Sequence, residues 1–153
     1  MMHLQSLGFL VFFFPAAHAW SPEFGQQFSG TGDFDTTGKN FLLIAFNRDD
    51  NCHSASMLLD GAIGNHEPLG VNDRVRIKLS VDSNRSWTTL FDLIEFEHWI
   101  PHSEALQQQL SPEALHQLGK GKMLSLLIGG KRFKWDLTGS NQAIKSAYFA
   151  CTE

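Results

Sequence analysis

Hydrophobic and polar positions alternate most cleanly between Asp73 and Asp82. There Val75, Ile77, Leu79 and Val81 interleave with Arg74, Arg76, Lys78 and Ser80. A period of two puts each set on its own face, so the pattern predicts a half-buried strand. A second alternation folds back on itself around Gly129-Gly130, a two-residue hairpin signal because the favoured turns need φ > 0. Folding there sets Leu124 opposite Trp135, Ser125 opposite Lys134, Leu126 opposite Phe133, Leu127 opposite Arg132 and Ile128 opposite Lys131. Leu124, Leu126, Phe133, Trp135 and Leu137 then share an apolar face, and Ser125, Arg132, Lys134 and Asp136 a polar one. A slip of one residue would set leucine against lysine, so the register is specified.

Elsewhere the pattern is less regular. Phe41 to Asn47 is a continuous apolar run, expected as a strand buried on both faces. Ser54 to Leu59 reads as a strand with Met57 and Leu59 on one side. In Ser86 to Phe96, residues Trp87, Leu90, Phe91 and Ile94 fit a helical period. Thr88-Thr89, the aromatics and the short turn before them favour a strand, and a strand is expected. Ser103 to Gly119 reads as helical: a turn capped by Ser103 through Leu110, then a helix opened by Ser111-Pro112-Glu113 and stopped at Gly119. Ser140 is placed to cap a last helix over 141–150, with Ala143, Ile144, Ala147 and Tyr148 as its apolar stripe. Trp20 to Gly38 is rich in Gly, Ser, Thr and Asp and is expected to be a loosely ordered entry with an edge strand near 24–28. Gly61 to Asn72 is expected to be a loop. The sum is an α+β domain, mainly β: an antiparallel curved sheet, sandwich or partial barrel, with two or three short helices and one disulfide.

The N-terminus sets the compartment. An apolar run over 7–16 is followed by Ala17-His18-Ala19, the layout of a secretory signal peptide, although no Lys or Arg precedes the run. Residues 1–19 are therefore expected to be a signal and 20–153 a single exported domain, periplasmic or secreted. The apolar run is too short to span a bilayer, which takes about 20 residues, so no transmembrane anchor is expected in the mature chain. Cys52 and Cys151 are the only cysteines, and in an exported protein such a pair is expected to be oxidised. The formal net charge of −4 argues against nucleic acid as a partner.

Candidate chemistry is sparse. His98 and His102 have ligand-like spacing, but Pro101 breaks the helix that would align them, and His53, His66 and His116 add no clear ligand set. No metal and no cofactor are expected. Glu95 and Glu97 share a strand face at a spacing that suits acid–base work, yet alternating charges on a solvent face are far commoner. Gly139-Ser140 is not a nucleophile motif. Asn84-Arg85-Ser86 is a glycosylation sequon that matters only in a eukaryotic secretory path. Lys120, Lys122, Lys131, Arg132 and Lys134 gather positive charge around the hairpin of an acidic protein. Lys120, Lys122, Arg132 and Lys134 are the candidate basic docking face for an anionic partner; the alternative is an ordinary solvated hairpin.

From Leu118 to Cys151 the chain reads L-G-K-G-K-M-L, then G-G-K-R-F-K-W-D-L-T-G-S, then A-I and a final cysteine. This ending resembles those of small bacterial periplasmic proteins of the invasion-associated locus B type and of accessory proteins from type VI secretion loci. The resemblance covers about a quarter of the chain. It implies a β-rich exported domain with an accessory or host-facing role and no known chemistry of its own. The functional expectation is a non-enzymatic binding or accessory protein acting through a protein partner. A carrier of a small apolar ligand is the alternative, and a cell-wall hydrolase resting on Glu95 and Glu97 the remote one.

Overall fold

A computed structural model describes residues 20–60, 74–83, 85–95 and 104–153. The N-terminal segment expected to be a signal, the expected loop over 61–72, Asn84 of the sequon, Glu97, His66, His98 and His102 lie outside the described residues. Among the described residues nine strands form one antiparallel sheet: β1 (Ser21–Phe24), β2 (Phe28–Phe34), β3 (Phe41–Asn47), β4 (Ala55–Asp60), β5 (Arg74–Val81), β6 (Arg85–Glu95), β7 (Glu104–Leu110), β8 (Met123–Ile128) and β9 (Lys131–Asp136). Two α-helices join them, α1 (Pro112–Lys120) and α2 (Ser140–Thr152), with a 3₁₀ turn at Arg48–Asp50. The strand order is β1-β2-β3-β4-β7-β6-β5-β8-β9, and the sheet is open and curved. This is the mainly β fold expected, with two helices and one disulfide.

The hairpin takes the register its pattern specifies, Leu124 to Trp135, Ser125 to Lys134 and Leu127 to Arg132. Gly129 and Gly130 both have positive φ, 55° and 83°, which is what a turn matching the strand twist demands. β3 is buried along Leu42–Phe46, as a strand covered on both faces should be. The segment that could have been helix or strand is β6, eleven residues paired with β5 and β7.

Several local expectations are overturned. Residues 104–110 are not a helical turn but β7, inserted between β4 and β6. Its Glu, Ala, Leu and Gln residues favour helix, but pairing on both edges and burial of Ala105, Leu106 and Leu110 outweigh propensity. The entry segment is not loose: β1 and β2 are strands, and residues 29–33 of β2 are buried. Its small residues allow close packing, since a Cβ on Gly30 would sit 2.5 Å from the Ile44 carbonyl oxygen. Ser140 does not cap α2. Gly139 is the cap residue at φ 84° without a side-chain bond, and Ser140 Oγ donates instead to the Leu118 carbonyl at 2.8 Å, tying α2 to the end of α1. The buried stripe of α2 is accordingly Ser140, Ile144, Ala147 and Cys151. Tyr148 lies off it, exposed, its ring against Phe46 at 5.4 Å. α1 is capped by Ser111, whose Oγ accepts from Ala114 N–H, and it runs past Gly119 to end before Gly121.

Both helices cover one face of the sheet. The core beneath them holds Leu42, Ile44, Met57, Phe91, Leu106 and Trp135, all fully buried, with Leu118, Ile144 and Ala147 from the helices. A smaller cluster of Leu43, Ala45, Leu58 and Ala105 lies on the other face. The far ends of the sheet meet at one corner, where Thr36 N–H donates to the Lys134 carbonyl at 2.9 Å. Two indoles add to it, Trp135 to the Asp33 carbonyl and Trp20 to the Asp136 carbonyl.

Candidate functional site: a cationic sheet face

On the side of β5, β8 and β9 turned away from the core, the described residues gather exposed charge. Because Ile77, Leu79 and Val81 of β5 turn to the core, Arg76, Lys78 and Ser80 turn outward. The same alternation sends Met123, Ser125 and Leu127 of β8 outward, and Arg132, Lys134 and Asp136 of β9. Lys78 pairs with Leu127, which pairs with Arg132, and Ser80 pairs with Ser125, which pairs with Lys134. The result is an exposed field of Arg76, Lys78, Arg132 and Lys134 on a protein of net charge −4. None of the four makes an ion pair among the described residues; the salt bridge found there joins Arg74 to Asp92 at 3.0 Å.

Of the residues proposed from sequence, Arg132 and Lys134 stand together on this face. Lys120 ends α1 and Lys122 precedes β8, so both are exposed outside the alternating rows. Arg76 and Lys78 were visible as the polar half of the cleanest strand. Their membership of the face depends on β5 pairing with β8, more than 40 residues on, which no local pattern declares.

The disulfide fixes the opposite corner. Cys52 and Cys151 are bonded, with Cα atoms 6.1 Å apart, inside the usual range for such bridges. The turn before Cys52 is built to aim it. Asn47 Oδ1 accepts from Asp49 N–H, and Asn51 and Cys52 both take left-handed φ, 60° and 67°. The Asp50 carboxylate closes the turn by accepting from Ser54 Oγ and from the His53 and Ser54 N–H groups. The Ser54 bond and these N–H groups hold the Asp50 carboxyl below its ordinary value, against a smaller upward push from desolvation. Arg48 reaches from the same turn to the carbonyls of Phe28 and Ala150, placing a cation at the C-terminal end of α2, where the helix dipole favours it.

Asp35 organises a second turn. Its carboxylate accepts from Asn40 Nδ2, Thr37 Oγ1 and the N–H groups of Lys39 and Asn40. Burial pushes this carboxyl up, but the Asn40, Thr37 and backbone donors together hold it below its ordinary value. Both carboxylates are therefore turn-builders with full hydrogen-bond complements.

Among the described residues no three His, Cys, Asp or Glu side chains gather in a way that could hold a metal ion. Glu95 is exposed at the end of β6, His116 is exposed on α1, and His53 Nδ1 lies 2.7 Å from the Asp50 carbonyl. Two open clefts of about 460 Å³ each are lined by none of the four cations. One includes Ala45, Leu58, Ile94 and Gln107, the other Trp20, Phe24, Ala143 and Ala147.

No family model and no curated protein matches the sequence. Among solved structures, invasion associated protein B from Bartonella henselae has a similar fold. The TM-score is 0.59 at 16% identity, over 90% of this chain and 97% of that one. At that identity the likeness is one of fold. The shared fold spans nearly the whole chain.

Proposed function

We propose that this is an exported, non-enzymatic accessory protein that works by docking an acidic protein partner on the outer face of β5, β8 and β9. The observation that carries the reading is the register. It sets Lys78 and Arg132 opposite the same residue and leaves four cations exposed and unpaired among the described residues. A locally positive face on an acidic molecule steers an anionic partner to one orientation. The disulfide suits an oxidising compartment, and no helix among the described residues is long and apolar enough to cross a membrane. The fold shared with an invasion associated protein supports an envelope or host-facing role. The resemblance of the C-terminal quarter to secretion-locus accessory proteins points the same way.

The test is affinity capture from the exported fraction with wild-type protein and with a Lys78→Glu, Arg132→Glu variant in parallel. Partners retained by the first, lost by the second and eluted by moderate salt support the reading. An identical set of captured proteins overturns it.

A small apolar ligand is the second reading, favoured by the cleft that holds Trp20 and Phe24 beside α2. The core face of the sheet is filled by its own side chains, so this open cleft is where such a ligand would sit. Intrinsic tryptophan fluorescence titrated with bile salts and fatty acids, in wild type and in Trp20→Phe, tests it: a saturable shift that needs Trp20 supports it and a flat response removes it.

A further inference from the structure

The cations of the sheet face stand in two columns with a trough between them. Arg76 and Lys78 alternate along β5, and Arg132 and Lys134 along β9. Strands about 4.8 Å apart put the columns roughly 10 Å from each other at the backbone, and the two-residue repeat spaces charges within a column by about 6.8 Å. The floor is β8, whose outward side chains Met123, Ser125 and Leu127 are uncharged and half-buried while all four cations are exposed. At the far end the charge reverses. The Asp82 carboxylate is occupied by the N–H groups of Lys122 and Met123, and Asp136 lies across β8 from it. The trough thus runs from positive at the hairpin tip to acidic at its base.

We propose that this trough binds an extended acidic polypeptide segment lying along β8, its successive side chains turned alternately to β5 and to β9. The inference rests on the docking reading above and specifies the shape of what docks. An extended chain repeats its side chains on each flank at the same spacing of about 6.8 Å as the strands beneath it, so its carboxylates stay in step with both columns. An acidic helix presents one flank every 5.4 Å or so and carries a body of about 10 Å diameter, too wide to settle between the columns. Carboxylates suit Arg76 and Arg132 in particular, because a guanidinium can pair with them through two parallel hydrogen bonds.

The experiment uses the disulfide-bonded protein and three labelled probes: a peptide of four consecutive glutamates flanked by Thr and Val, the same four glutamates held on one face of a stapled helix, and phosphatidylglycerol vesicles. The extended peptide is expected to bind at least tenfold tighter than the stapled one. Lys78→Glu with Arg132→Glu should abolish its binding. Leu127→Trp, which raises the floor without altering charge, should weaken it at least fivefold while leaving the melting temperature in place. Equal binding of both peptides, still lost on charge reversal, overturns the extended geometry and leaves the docking face standing. Binding to vesicles but to neither peptide overturns the polypeptide. Peptide binding indifferent to charge reversal overturns this inference and the docking reading together.

Discussion

The indole of Trp135 donates to the carbonyl of Asp33, 102 residues earlier, at 3.2 Å. With Thr36 N–H on the Lys134 carbonyl and Trp20 on the Asp136 carbonyl, this bond joins the last strand to the first two. Trp135 is fully buried, so Trp135→Phe leaves a gap and removes this hydrogen bond. It should cost about 1–3 kcal/mol. Trp20→Phe, losing one partly buried bond, should cost about 1 kcal/mol. Urea midpoints measure both, and a Trp135→Phe protein as stable as wild type would show that the corner contributes nothing.

β2 is held close to β3 by the absence of side chains. Gly30→Val should destabilise the protein by about 1–3 kcal/mol, the usual cost of overpacking, since even a Cβ there lies 2.5 Å from the Ile44 carbonyl oxygen. Thermal unfolding of the variant checks this. An unchanged melting temperature would mean that the β2–β3 spacing relaxes freely.

The Cys52–Cys151 bridge closes a loop of 99 residues. The chain-entropy model assigns such a loop about 4–5 kcal/mol. Cys151→Ser should therefore lower the melting temperature by roughly 8–40 °C, at about 2–8 °C per kcal/mol, and expose α2 to proteolysis. Equal melting of oxidised and reduced protein would contradict it.

Asp35 predicts a pH dependence with a definite sign. Its folded-state pKa is depressed below the ordinary 3.8, so the folded chain holds fewer protons there than the unfolded chain. The stability it contributes is fully present above that value and is lost as pH falls through the folded pKa. The stability gap between wild type and Asp35→Asn should be constant from about pH 7 to pH 5 and shrink below about pH 4. A gap that widens in acid would reverse the assignment.

What the sequence disclosed follows from how local each interaction is. The 123–136 hairpin was legible to the residue because its turn and both its faces lie within fourteen positions. The disulfide was legible because two cysteines allow one pairing. β7 was not, because its residues favour helix and only its pairing with β6 on one edge and with β4, far earlier in the chain, on the other makes it a strand. β2 was hidden by glycines and hydroxyl side chains that read as loop. Its Ser29 Oγ earns burial by donating to the Ala147 carbonyl of α2, 118 residues away. The cationic face was half legible for the same reason. Arg132 and Lys134 follow from the hairpin, whereas Arg76 and Lys78 join them only through the pairing of β5 with β8.

The cationic face should bind acidic protein. Calorimetric titration of poly-glutamate into the oxidised protein, at low and at physiological salt, measures it directly. Wild type should bind with an affinity that falls steeply as salt rises. The Lys78→Glu, Arg132→Glu variant should melt with wild type, because both residues are exposed and such changes usually stay within about 0.5 kcal/mol, yet bind at least tenfold more weakly. Equal affinity in the two proteins, or binding insensitive to salt, would contradict the claim.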